Sequence, residues 1–272
     1  MSAWRHLAEL VSGGIAQVLR AAPCGISARV VERTSLVRAL DYSGSELLMA
    51  VGSLAQIGRL NACKKEPETV EWLETHLRVG ETLFDVGANV GAYSLVGATV
   101  AGPRCRIYAF EPSPSTFSAL CQNVGLNGLG NTIIPLNVAL TDRTGLVWLR
   151  FSSTAPGAAQ HSIDWGDKER NDSSGDGSIR VIAFELDDLV ELLEIDTPNH
   201  MKIDVDGGEL AVLSGASRTL LSPALRTIMV EIDSAEVADG DVHRLLEGRG
   251  FRLEKATSHP GGSVVNCLFV RR

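Results

Sequence analysis

From residue 82 onward short apolar runs alternate with segments of helical period, and few architectures satisfy that order. Residues 82–86, 106–110, 132–136, 200–205, 227–232 and 264–270 read as strands. Residues 91–100, 113–126, 209–213 and 237–246 read as helices, with Phe117, Leu120, Cys121 and Val124 at helical spacing in the second. Near-continuous apolar strands separated by helices predict an α/β fold, a Rossmann-like, mostly parallel sheet covered on both faces. Upstream, Pro67 and Glu68 suit the first turn of a helix running to Leu77, because proline lacks the N–H that position leaves unpaired and an acid meets the positive dipole end. Residues 46–51 form a short apolar run compatible with a strand.

Two regions depart from the alternation. Residues 1–64 read as an N-terminal appendage of helix and short strand, a substrate cap or a dimer contact, and residues 65–272 as the main domain. The first helix, residues 1–20, carries Trp4, Leu7, Leu10 and Val11 near one face. It lacks the apolar core and cleavage site of a signal peptide. Within the main domain, residues 152–178 are rich in Ser, Gly, Asp and Ala and lie between the β-like runs 146–151 and 179–184. That pattern predicts a hairpin with a long loop, of a length that is commonly functional or disordered.

The chain of 272 residues has a formal net charge of -8, so no uniform basic surface exists for nucleic acid. No apolar run reaches the roughly 18 residues of a membrane span. Five cysteines, Cys24, Cys63, Cys105, Cys121 and Cys267, are scattered without zinc spacing and read as reduced thiols of a cytoplasmic protein.

The segment Phe84-Asp85-Val86-Gly87-Ala88-Asn89-Val90-Gly91 joins a strand to a helix, where α/β sheets bind ligands at the carboxyl ends of their strands. Glu111 closes the next strand, in Tyr108-Ala109-Phe110-Glu111-Pro112, where a carboxylate can accept from both ribose hydroxyls of a nucleoside. A dinucleotide site places glycine where this chain has Asp85, because a carboxylate there repels pyrophosphate. S-adenosylmethionine carries no phosphate but bears an ammonium and a sulfonium, so Asp85 with Glu111 suits it better. No GxxxxGK[ST] run is present.

These motifs resemble the FkbM-type S-adenosylmethionine-dependent methyltransferases. The likeness runs from about Lys65 to Ile232 through Lys65-Glu66-Pro67-Glu68-Thr69, the Asp85–Gly91 turn with Ala92-Tyr93-Ser94, and Glu111-Pro112-Ser113-Pro114. It continues through Asn137-Val138-Ala139-Leu140, Leu186-Asp187-Asp188-Leu189, Lys202-Ile203-Asp204-Val205-Asp206-Gly207-Gly208-Glu209 and Val230-Glu231-Ile232. The resemblance implies a seven-stranded methyltransferase sheet with an antiparallel edge, and O-methylation of a hydroxyl on a small molecule, sugar or natural product, with S-adenosylhomocysteine as by-product. It also implies that Asp85, Gly87, Asn89 and Gly91 line the methionine end, Glu111 binds the ribose, and Asn137, Val138 and Ala139 flank the adenine, with Ala88, Tyr93, Ser94 and Pro112 among the cofactor-binding residues. Asp204 would stand between cofactor and acceptor. One departure is Asp206, where the family carries glutamate. An N-methyltransferase, a noncatalytic cofactor-binding module and, further off, a dinucleotide oxidoreductase are the alternatives. A homo-oligomer formed through the appendage is also open.

A hydroxyl acceptor must lose a proton as it is methylated. Three readings of Asp204, Asp206 and Glu209 compete: a hard-cation site, Asp204 as base or acceptor-orienting group, or acids capping the helix that enters at Gly208. His161 in the long loop is the other candidate base. No metal is assigned. His200 and the Asp187-Asp188 pair read as structural.

Overall fold

The computed structural model describes residues 2–34, 36–159, 161–166, 177–234, 237, 240–258 and 263–272; the side chains of residues 2–8 and 33 fall outside that description. Two compact units divide at Val37/Arg38. The first holds helices α1 (Ser2–Ala21) and α2 (Cys24–Arg33). Pro23 occupies the N-cap of α2, and Ser27 donates its Oγ to the Leu19 carbonyl at 2.7 Å, closing the corner between the helices. The proposed apolar face of α1 is exposed at Leu10 and Val11; the side chains of Trp4 and Leu7 lie outside the described residues.

The second unit opens with β1 (Leu36–Ala39, whose first two residues belong to the other unit), β2 (Leu48–Val51), α3 (Leu54–Arg59), α4 (Ala62–Lys65) and α5 (Pro67–His76). Then follow β3 (Thr82–Val86), α6 (Ala92–Ala101), β4 (Arg106–Phe110), α7 (Pro114–Leu126), β5 (Ile133–Leu136), β6 (Ala139–Leu140), β7 (Gly145–Arg150), β8 (Ser162–Asp164) and β9 (Ser178–Phe184). The chain ends with α8 (Leu186–Leu192), β10 (His200–Ile203), α9 (Glu209–Ser214), β11 (Thr227–Asp233), α10 (Asp241–Gly248), β12 (Phe251–Ser258) and β13 (Val264–Arg271).

Seven strands form the main sheet in the order β12-β13-β11-β10-β3-β4-β5. The pairs β4/β5, β3/β4, β10/β3 and β10/β11 are parallel, and β13 runs antiparallel to both β11 and β12. Successive side chains serve opposite faces. Leu83, Ile107 and Ala109 join the core beneath α5, α6 and α7, whereas Phe84, Tyr108, Phe110, Met201 and Ile203 join the core with α8, α9 and α10. Buried on both faces, these strands show the near-continuous apolar runs of a parallel sheet.

A second sheet, β6-β9-β7-β8, is inserted after β5 around Val147, Leu149, Val181 and Ala183. The two β-like runs do pair, with Leu146 opposite Ile182 and Leu149 opposite Ile179. Part of the intervening loop is ordered: β8 pairs with β7, and residues 160 and 167–176 lie outside the described residues.

Residues 38–64, grouped with the appendage on sequence, belong to the unit of the main sheet. Leu40, Leu47, Met49, Ala62 and Cys63 enter its core. Two asparagines of α7 fasten β2. Asn127 accepts from Leu48 N–H at 2.8 Å and donates to Leu48 C=O at 2.7 Å. Asn123, fully buried, accepts from Ala50 N–H at 2.8 Å and donates to Val90 C=O at 2.8 Å, tying β2 to the turn after β3. Asn123→Leu keeps the branching at Cγ but strands one buried N–H and one buried C=O. The expected loss is about 2–4 kcal/mol, read as a lowered urea midpoint at unchanged slope.

Candidate active site

The chain leaves β3 through Gly87, whose φ of +79° is open to glycine at little cost. A Cβ there would stand 1.8 Å from the Asp204 carbonyl oxygen, so the missing side chain is what allows the loop after β10 to approach. The N–H groups of Gly87 and Ala88 both donate to the Phe110 carbonyl at 3.0 Å, joining the exits of β3 and β4. Asn89, at φ +50°, donates its backbone N–H to Glu111 Oε2 at 3.0 Å and its side-chain amide to Ala158 C=O at 2.9 Å. Gly91 starts α6, and a Cβ on it would stand 2.5 Å from Leu120 Cδ1.

Glu111 is buried, with Oε2 held by Asn89 N–H and Oε1 accepting from Ser113 N–H at 2.8 Å. Burial pushes its carboxyl up to about 7, against the pull of those two amides. It lines a cavity with Gly87, Asn89, Pro112, Val138 and Ala139. Asn137 belongs to the frame: its amide donates to the Glu111 and Pro112 carbonyls at 2.8 and 3.1 Å. An adjoining cavity is lined by Ala88, Val90 and Tyr93, and Asp204 faces both.

Asp85 stands elsewhere than the sequence suggests. It is fully buried behind the turn and borders neither cavity. Ser94 Oγ donates to its Oδ2 at 2.5 Å, while Oδ1 has no hydrogen-bond partner. Asp85 is the register partner of Lys202 on β10. Lys202 is 4% exposed, donates to Asp204 Oδ2 at 2.8 Å and lies 5.0 Å from the centre of the Tyr93 ring. Burial raises the Asp85 carboxyl, outweighing the Lys202 charge. Burial also opposes the Lys202 ammonium, yet Asp204 and Asp85 outweigh it and raise the pKa. Asp204 is lowered, because the charge and hydrogen bond of Lys202 exceed its desolvation.

The FkbM methyltransferase domain profile matches residues 85–253, spanning this turn and strands β4, β5, β10 and β11 of the main sheet. The chain belongs to the FkbM methyltransferase family. It is 31% identical over 206 residues to the hexuronic acid methyltransferase AglP of Haloferax volcanii, covering 76% of this chain and 78% of the relative. It is 28% identical over 200 residues to the 31-O-demethyl-FK506 methyltransferase FkbM of Streptomyces tacrolimicus, covering 65% and 75%. Among solved structures, Aeropyrum pernix fibrillarin with bound S-adenosyl-L-methionine superposes at a TM-score of 0.49 with 16% identity, over 86% of this chain and 82% of that one.

On the far side of Asp204 this FkbM-family chain turns through Asp206 (φ +54°) and Gly207 into α9. Glu209 Oε1 accepts from Gly207 and Val205 N–H at 3.0 and 3.4 Å, so its carboxylate ties down the loop before α9. Asp204 is paired with Lys202, and Asp206 is exposed. The three acids are thus separately engaged, and among the described residues no group of three or more His, Cys, Asp or Glu is placed to hold a metal ion. His161 does reach the Glu111–Asp204 cavity. Its ring meets Phe151 edge-on at 5.4 Å between centroids, and neither ring nitrogen has a hydrogen-bond partner. Burial lowers its pKa, which keeps the ring neutral near pH 7.

Five charged cavity residues carried no role on sequence: Arg59, Lys65, Glu66, Lys202 and Glu231. Arg59 is held by donation of its Nε to Gly157 C=O at 3.1 Å. The signal for Lys202 was a lysine inside a strand with apolar neighbours at 201 and 203, since lysine is seldom fully buried unless paired. Lys202→Met should cost about 3–5 kcal/mol at pH 8, because it leaves buried carboxylates without a cation. In the variant those carboxylates hold protons above their ordinary range, so the deficit shrinks toward pH 5. Chemical denaturation of both proteins across that interval checks size and sign together.

Proposed function

We propose that this FkbM-family methyltransferase takes its methyl group from S-adenosylmethionine and places it on a hydroxyl oxygen of a small molecule, sugar or natural product. The observation carrying this reading is Glu111, a buried carboxylate clamped by the N–H groups of Asn89 and Ser113 at the end of the second parallel strand. Each oxygen keeps acceptor capacity after its backbone bond, which matches a pair of ribose hydroxyls. Phe110, Val138, Ala139 and Leu140 offer an apolar wall beside it for adenine. Ala88, Asn89, Val90 and Tyr93 border the neighbouring space, where Arg59 and Lys65 supply positive charge for an amino-acid carboxylate.

The lining suits the cofactor by its chemistry: an accepting carboxylate beside an apolar wall, with cationic side chains across the neighbouring space. When bound, S-adenosylmethionine supplies an electrophilic methyl group on a sulfonium whose leaving group is a neutral thioether. The protein's part is alignment and proton management. Asp204, oriented by Lys202 and in view of both cavities, is placed to position the acceptor. Asp85 is set back, so any help it gives to a cation is long-range and shared with Lys202. The names of the relatives support the substrate class: one acts on a hexuronic acid and another is specified for an oxygen of FK506.

Glu111→Ala should weaken S-adenosylhomocysteine binding about 10- to 100-fold, the equivalent of roughly 1–3 kcal/mol in lost charge-assisted hydrogen bonds. Wild-type affinity in calorimetry would remove Glu111 from the ribose site. Since Asp204 is paired with Lys202 and Glu209 with backbone, turnover should survive EDTA and gain nothing from added Mg²⁺, Mn²⁺ or Ca²⁺. Loss on chelation with recovery on add-back would instead make these acids ligands.

A further inference from the structure

Val230 of β11 is the register partner of Ile203 of β10, so the next residues along, Glu231 still within β11 and Asp204 just past the end of β10, stand side by side. Val230 and Ile203 share one face, and alternation sends Glu231 and Asp204 to the other, the face of Lys202. Glu231 borders the cavity of Glu111 and Asp204 and also an adjoining cleft lined by His161, Asp206, Leu210 and Asp233. It thus stands where the cofactor cavity opens into a second space large enough for an acceptor to enter.

We infer that Glu231 is the general base of this methyltransferase, taking the proton from the acceptor hydroxyl as its oxygen is methylated. This rests on the hydroxyl-acceptor reading above. Four carboxylates line the cavity, and their partners separate their roles. Asp206 is exposed at the turn before α9 and has an interaction of its own. Glu111 is clamped by two backbone amides, and Asp204 is occupied by Lys202. The Glu231 carboxylate has no hydrogen bond or ion pair among the described residues, so it keeps its accepting capacity for a ligand.

Its surroundings also tune it. Burial, then the negative charges of Asp204 and Glu66, push its carboxyl up to about 7, against the positive charges of Lys202 and Lys65. Asp206, His161, Asp233 and Asp241 border the same cleft. A base with a pKa near working pH combines a useful ionised fraction with useful proton affinity. Asp204, held low by Lys202, is a weak proton acceptor by comparison.

In the step, the acceptor O–H proton passes to a Glu231 oxygen and the freed O–H electron pair forms the O–CH3 bond. The methyl–sulfur pair departs with sulfur, leaving S-adenosylhomocysteine and a protonated Glu231 that returns its proton to solvent. The charge adds up: a sulfonium and a carboxylate become a neutral thioether and a neutral acid.

The test uses the full chain with two probes, the methyl glycoside of a hexuronic acid and its methyl ester; the ester offers only hydroxyls. Glu231→Gln should lower kcat on the ester about 10²–10⁴-fold and leave S-adenosylhomocysteine affinity within twofold, which also shows that the variant is folded. Glu231→Asp should recover part of the rate. The wild-type rate should rise with pH through a midpoint near 7, a step that His161→Gln keeps and Glu231→Gln loses. Independently of turnover, glutamate labelled with ¹³C at the side-chain carboxyl should show two signals titrating near pH 7, one lost in Glu111→Ala and the other in Glu231→Gln. An unchanged rate in Glu231→Gln, a step lost with His161 instead, or a Glu231 signal titrating in the ordinary glutamate range overturns the inference. Methylation confined to the carboxylate of the free acid overturns it as well, since that oxygen has no proton to give. Failure of the wild type to bind S-adenosylhomocysteine would sink the proposed function itself, a distinct result.

Discussion

A lysine inside a parallel sheet, with Asp85 as its neighbour in register and Asp204 two residues further on, sets the geometry of the rest. The effective penalty for removing each such ion from water is several kcal/mol, recovered only if opposite charges meet in good geometry. Sliding β10 by one residue against β3 would turn Lys202 toward the face of Phe84 and Met201, where the core is apolar. The ionic cluster therefore acts as a register pin. Once β3 and β10 are aligned, their carboxyl ends coincide, Asp204 N–H donates to Val86 C=O at 3.0 Å, and Gly87 meets the Asp204 backbone.

The remaining walls come from segments far apart in the chain. Ser53 Oγ donates to Pro156 C=O at 2.6 Å, Arg59 reaches Gly157, and Gly157 N–H donates to Thr116 Oγ1 at 3.3 Å. These bonds fasten residues 156–159 between α3 and α7 and bring Ala158 and Ala159 to both cavities. Asn89, whose backbone holds Glu111, is fastened to the same segment through Ala158. The ribose-side acid, the turn and the inserted segment are consequently one hydrogen-bonded assembly.

Local features were legible in the sequence, and features that depend on register were not. The strands at 82–86 and 106–110 and the turn between Asp85 and Gly91 each stand on a contiguous pattern, and the structure shows the same strand bounds. The role of Lys202 needs the alignment of β10 with β3, a relation between residues more than a hundred positions apart. Strand β12 escaped notice because it lies at the sheet edge, its polar residues face outward, and a register shift between Leu253 and Lys255 breaks its alternation. Strand β8 is three residues within a polar stretch, too short for any period. The attachment of residues 38–64 rests on Asn123 and Asn127, whose side chains pair with backbone groups about seventy to eighty residues away. Periodicity carries no trace of such bonds.

Charge type alone would have misassigned the acids of this cavity; their partners sort them. Asp85 and Asp204 share one cation, yet burial raises the first and Lys202 lowers the second, because only Asp204 receives the lysine hydrogen bond at 2.8 Å. Glu111 and Glu231 both rise to about 7 through burial, but the backbone treats them differently. Two N–H donors fix the Glu111 carboxylate in place, which suits a group that must present oxygens to a ligand in constant geometry. Glu231 receives no donor, so gaining a proton costs it no hydrogen bond to the protein. Fixed acids serve binding and an unfastened one serves proton transfer. The difference arises from which strand ends expose backbone amides: the turn after β3 turns Asn89 N–H toward Glu111, while the loop before α9 gives its N–H groups to Glu209.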